Sequence, residues 1–298
     1  MTEPAATDIH QHLWPERLLD ALRARHEPPY LRGWTLHTAT EAPYAVSPAD
    51  HDPVRRAGLD PEVDRIVLAP SAPLGIEDLP PDEGQVLLDA WHDGVRDLGA
   101  PYLGWAATSS LETDLDGLAT LLDGEVLVGL QVPAPRLATP AHLELLGPVL
   151  ARCEELDRPV LVHPGRAAPA DVPAWWPAVV DYTTQLQAAW WSWFAVGRAL
   201  FPRLRICFVA GAGLAPAHHE RLAQRGGGTY VVDPLVFVDT SSYGRQGVDA
   251  LSRAIGIDAL LLGSDRPYAV PVDPAQGAAA WRQISRNNPH RFLEGVPR

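Results

Sequence analysis

The sequence predicts a parallel (β/α)8 barrel with long loops at its C-terminal face, on three observations. Short, nearly continuous apolar runs recur along the 298 residues, helix-period segments separate them, and polar side chains gather where the runs end. The first run is "TDIHQHLW" (7–14). "DRIVLAPS" (64–71), "YLGWAATSS" (102–110), "EVLVGLQVP" (125–133) and "RPVLVHPG" (158–165) follow, then "LRICFVAGAG" (204–213), "VFVDTSS" (236–242) and "ALLLGSDRPY" (259–268). Runs of this length and composition fit strands buried on both faces, as parallel strands are. Between them, "HLELLGPVLARCEELD" repeats Leu at helical spacing. "DYTTQLQAAWWSWFAVGRALF" puts Leu186, Trp190, Trp193, Phe194 and Gly197 on one stripe. An open doubly wound sheet would carry a Gly-rich phosphate turn after its first strand, where this chain has histidines instead. The reading is one TIM-barrel domain over residues 1–298.

Two stretches break the rhythm. Residues 27–60 are rich in Pro, His and charged residues without a clear period, and 164–181 ("PGRAAPADVPAWWPAVVD") form a second insertion. Each follows a strand, so each is expected over the C-terminal mouth, the first as a cover carrying part of a substrate pocket. The 30 prolines agree with long ordered loops.

Composition excludes several functions. The 24 basic residues stand against 37 acidic ones, a net charge of -13, which argues against nucleic acid and anionic membrane as partners. Every basic residue is arginine, so Schiff-base chemistry, a P-loop lysine and a carboxylated-lysine metal bridge are ruled out. Cys153 and Cys207 fall in apolar runs and read as buried thiols. There is no basic-then-apolar signal region and no apolar run long enough to span a bilayer, so a cytoplasmic protein is expected. A homodimer is a weaker expectation from the size and acidity of the chain.

In such a barrel the working residues sit at the C-terminal strand ends. Those positions hold His10 and His12, Gln131, His163 and Asp265. Side chains alternate along a strand, so Asp8, His10 and His12 are expected on one lumen-facing side. His10 and His12 can then bind one ion, with His163 and Asp265 completing the set and Asp8 and Gln131 behind it. Three imidazoles and a carboxylate suit one divalent cation, zinc above all. Arg166, Arg245 and Arg266 lie near the mouth as candidate clamps for the carboxylate of a small-molecule substrate. Trp34 and His37, with Trp175 and Trp176, are candidates for an aromatic cover.

Taken in order, "DIHQHLW", "VLVHPG", "FPRLRICFVAGAGLAP", "FVDTSS", "LLLGSDRPY" and the closing "NNPHRFLEG" resemble the amidohydrolase superfamily. The resemblance is to the amidohydrolase-related branch that includes aminocarboxymuconate semialdehyde decarboxylase. It implies a (β/α)8 barrel with one divalent ion on His10, His12, His163 and Asp265. It also exposes a departure: where that branch ends strand six in a histidine, this chain has Ala210, with His218 and His219 following. The lost histidine handles substrate or the ion's water, so the decarboxylase-type mechanism is weakened and His218 becomes the first candidate to fill the space. A zinc-activated water needs only a carboxylate such as Asp265 to take its proton. The expected activity is therefore hydrolysis of a small carboxylate-bearing ester, lactone or amide. A decarboxylase of an aromatic or unsaturated acid is the alternative, and a repurposed metal-binding barrel the third reading.

Overall fold

The computed structural model describes residues 3–168, 171–271 and 276–295. One sheet holds eight parallel strands in chain order. They are β1 (Thr7–Gln11), β2 (Arg65–Leu68), β3 (Tyr102–Ala106), β4 (Leu127–Pro133), β5 (Val160–His163), β6 (Ile206–Phe208), β7 (Val236–Asp239) and β8 (Leu260–Leu261). Past Leu261 the chain continues the ladder against β1. The Ile9 amide donates to the Leu262 carbonyl (2.9 Å), the Asp265 amide to that of His10 (2.9 Å) and the His12 amide to that of Arg266 (2.6 Å). These bonds join the last strand to the first and close the barrel, with the intervening helices around it. No helix among the described residues is long and apolar enough to cross a membrane.

Register fixes what the barrel encloses, because paired residues of parallel strands face the same side. Gln131 pairs with Leu161, Leu161 with Cys207, and Cys207 with Phe237. Two residues further along these strands stand Pro133, His163 and Asp239, on the same side and nearer the mouth. Phe292, on the C-terminal helix Asn288–Glu294, packs against Trp105 (5.8 Å between ring centroids) and Phe237 (5.2 Å). Polar groups thus collect at one end of the barrel and aromatic bulk supports them from below.

Three sequence expectations need correction. Residues 27–60 are not irregular: Tyr30–Arg32, Thr35–His37 and Tyr44–Ala45 form a three-stranded antiparallel sheet. Its Leu31 and Leu36 are buried, but strands of two and three residues are too short to leave a period. Second, β1 carries a bulge. Asp8 pairs with Ile66 and Gln11 with Leu68, three residues against two. The extra residue puts Asp8 out of phase with His10 and His12. Its carboxylate accepts from the Gln11 side chain and from the amides of His10 and Ser264, and it borders a cleft with Pro61, Val63 and Trp281. Third, Trp190 and Trp193 are buried but Phe194 is 38% exposed. A π-turn over Trp193–Gly197 rotates the stripe there.

Candidate metal centre

His10 and His12 leave β1 on one side, and His163 ends β5. One ring nitrogen from each lies within 4.8 Å of the others, and the rings stand nearly perpendicular, with centroids 5.0–5.1 Å apart. The Nε2 atoms of His10 and His12 are 3.1 Å apart. Asp265 brings its Oδ1 to 3.1 Å from His12 Nε2 and 3.7 Å from His10 Nε2. The structure therefore brings His10, His12, His163 and Asp265 together at the mouth.

Hydrogen bonds on the far side of each ring decide what the near side offers. Nδ1 of His12 meets the Ala69 carbonyl at 2.8 Å and Nδ1 of His163 the Pro164 carbonyl at 3.0 Å. A carbonyl only accepts, so both Nδ1 atoms carry the proton and both Nε2 atoms are bare lone pairs. His10 directs Nδ1 at Asp239 Oδ2 (2.7 Å), which holds the same tautomer. Three lone pairs and an anionic oxygen thus converge with nothing positive between them. That electrostatic deficit is what a divalent cation would relieve, and the donor set fits one.

Burial pulls the His12 and His163 pKa values down, and for His163 the neighbouring imidazoles pull further. Burial acts on His10 the same way, but the Asp239 charge and hydrogen bond outweigh it and raise that group. Burial would raise Asp265, yet its close contact with His12 and the three imidazoles around it hold it below the usual carboxylate range. The Asp265 side chain keeps 22% of its exposure where those of His10 and His12 keep 2%. It is the member of the set that meets the mouth.

Asp239, which the sequence reading passed over, is held from several sides. Besides His10, its Oδ1 accepts from the Ala210 amide (2.6 Å), the Ser241 amide (3.1 Å) and the Ser241 hydroxyl (2.6 Å). Gly263 leaves the room: a Cβ there would lie 2.5 Å from Asp239 Oδ2. A signal existed in "FVDTSS", a carboxylate at the end of a strand. Tyr268, whose ring centroid is 5.4 Å from that of His12, was also missed.

The other candidates are placed differently. Arg266 is bound by both oxygens of Asp60 (2.7 and 2.8 Å), so its fork is spent on the protein. Arg166 lies 3.5 Å from Asp78 and packs its stem across Gly75. Arg245 is exposed at the first residue of the helix Arg245–Ile255. Trp34 stacks parallel to His51 (6.2 Å) under Arg23, and His37 stacks on Tyr30 (4.4 Å). The small sheet is tied to the end of β1 through His51, which stacks on Trp14 and accepts from its amide, and through buried Arg56, which donates to the His12 carbonyl (2.8 Å). His218 is exposed, and His219 stacks on Tyr230 beside Trp190 and Trp191. Neither histidine joins the centre.

A buried carboxyl stands nearby. Glu77, in the turn Ile76–Asp78, accepts from Gln131 Nε2 at 3.4 Å, and burial pushes its pKa up to about 7. In the unfolded chain it titrates near 4.5, so between about pH 4.5 and 7 the unfolded state loses its proton while the folded state keeps it. Stability therefore falls as pH rises through that window, by about 3 kcal/mol at the upper end. Glu77→Gln is expected to leave stability near pH 4.5 unchanged and to raise it at pH 8 relative to the parent. Denaturant melts of both proteins at the two pH values measure this, and a variant no more stable than the parent at pH 8 contradicts it.

The fold recurs in proteins of known structure. Among solved structures, that of an IDCase from Metarhizium anisopliae in apo form aligns with a TM-score of 0.77 at 18% identity, covering 98% of this chain and 97% of that one. A 5-carboxyvanillate decarboxylase from Novosphingobium aromaticivorans, with bound manganese and a nitrobenzoic acid, gives 0.74 at 15% over 98% and 97%. A 2,6-dihydroxybenzoate decarboxylase from Rhizobium gives 0.69 at 15% over 98% and 99%. At these identities the likeness is one of fold. No curated protein matches the sequence. The amidohydrolase family model matches residues 7–295, and with that match spanning nearly its whole length the chain belongs to the amidohydrolase family of enzymes.

Proposed function

We propose that this enzyme is a metal-dependent decarboxylase of a small aromatic or unsaturated carboxylic acid. The observation that carries the reading is the converging set of three Nε2 lone pairs and one carboxylate, sized for one cation in a chain without lysine to bridge a second. His10, His12, His163 and Asp265 would hold it. Three imidazoles to one carboxylate favour zinc, and manganese, which the Novosphingobium decarboxylase binds, is the competing ion. When bound, a divalent cation supplies Lewis-acid charge to a substrate carboxylate.

The chain's own residues account for the rest. Decarboxylation breaks the bond from carbon to the carboxylate and replaces it with a bond to hydrogen, so a proton must enter. Asp265, the exposed member of the set, would relay that proton, taking it from the mouth on a carboxylate oxygen and passing it to the carbon, a transient carrier because the imidazoles hold its pKa low. Tyr268, whose ring centroid lies 5.4 Å from that of His12, covers the centre on that side. Hydrolysis, the activity expected from the sequence, would use the same carboxylate as a base. The decarboxylase reading is preferred because the fold is shared along its length with two decarboxylases of benzoic-acid type, and because Asp265 can supply the proton whose source Ala210 had put in doubt. The test is metal-loaded protein incubated with a panel of aromatic and unsaturated acids, lactones, esters and amides. Release of carbon dioxide is expected. Cleavage of lactones, esters or amides without it restores the hydrolase reading.

A further inference from the structure

Gln131 is buried in the lumen on β4, on the same side of the sheet as His163 and one step deeper. Its amide nitrogen is fully used: Nε2 donates to the Pro70 carbonyl (3.2 Å) and to Glu77 Oε1 (3.4 Å). Its carbonyl oxygen Oε1 is buried and has no donor among the described residues. Reversing the amide would not repair this, because Oε1 would then face the Pro70 carbonyl and leave two acceptors opposed. These two bonds fix the orientation of the amide and leave its acceptor bare.

A buried carbonyl left without a donor is a standing cost that a ligand's O–H or N–H can remove. We infer that Gln131 is a specificity-determining residue, whose Oε1 accepts a hydrogen bond from a hydroxyl or amino group on the substrate, close to the carboxylate bound at the metal centre. Glu77 acts as its positioning residue by holding Nε2. The charged groups around that pair agree with a neutral donor. Asp78 and Arg166 are engaged with each other, and Arg266 is engaged with Asp60. No arginine fork among these is free to favour a second substrate carboxylate. The inference rests on the proposed carboxylic-acid substrate but not on whether carbon dioxide is released.

The test compares the binding of benzoate, 2-hydroxybenzoate and 2-aminobenzoate to the metal-loaded enzyme by calorimetry, with carbon dioxide release followed separately. The parent is expected to bind the hydroxy or the amino acid about tenfold or more tighter than benzoate, the range for one hydrogen bond to a buried acceptor. Gln131→Met, with melting temperature and metal content as folding controls, is expected to bind all three alike. Glu77→Gln, which still presents a carbonyl to Nε2, is expected to keep the preference, and Glu77→Leu to lose most of it. The Glu77 pair answers the question even where Gln131→Met does not fold. A parent with no preference, including one that binds none of the three, overturns the assignment, as does a preference that survives in Gln131→Met or Glu77→Leu. An enzyme that keeps the preference but releases no carbon dioxide upholds Gln131 and sinks the decarboxylase.

Discussion

Asp265→Asn is expected to lower turnover of the cognate acid by about 10³-fold or more, with metal still bound at saturating concentration. General acid–base groups contribute about 10²–10⁴-fold, and removing this charge also strips the centre of its one anionic donor. The substitution is clean for a conformational reason. Asp265 sits at φ 57°, in the left-handed region, which Asn tolerates and most other residues do not. The backbone can therefore stay in place while the proton carrier is lost. An Asn side chain near His12 Nε2 can still donate a hydrogen bond, so the fold keeps its contact. Metal analysis of the purified variant separates loss of the ion from loss of the carboxylate. Turnover within tenfold of the parent, with metal present, would show that the proton travels by another route.

What could be read from the sequence was what depends on local alternation. His10 and His12, two apart on an apolar run, had to share a face, and His163 and Asp265 had to lie where their strands end. What could not be read depends on partners far along the chain. Asp8 falls out of phase because β1 bulges against β2, a property of a pair of strands that neither strand reveals alone. Arg266 is withdrawn from the substrate by an acid 206 positions earlier. Asp239 stood in plain view at a strand end, but its task appears only once His10 has been placed against it. Ala210 stands where the resemblance implied a histidine, and the sequence alone attached no structural consequence to that reading. In the structure its amide is one of the donors that hold Asp239, so this position serves the centre through its backbone.

Chelation of the metal is expected to lower the melting temperature by roughly 8 °C or more. Ions at about a thousandfold over Kd stabilise a protein by about 4 kcal/mol, and each kcal/mol moves a chain of this size by about 2 °C. The cause lies in the centre itself, where removal of the cation leaves three lone pairs and a carboxylate crowded within 4.8 Å or less. Asp239→Asn is expected to narrow that gap between loaded and stripped protein. His10 loses the anion that fixes its tautomer, and such losses behind a metal ligand cost about 10–100-fold in affinity, or about 1.4–2.7 kcal/mol. The variant will also lose stability in both forms, since its amide oxygen can keep the donors of Ala210 and Ser241 only by turning its NH2 toward the Nδ1–H of His10. That shared loss cancels in the difference between the two melts, so the gap isolates the effect on the ion. A parent gap under about 2 °C would mean that the histidines do not hold a metal tightly. An unchanged gap in the variant would mean that Asp239 organises the loops and not the ligand.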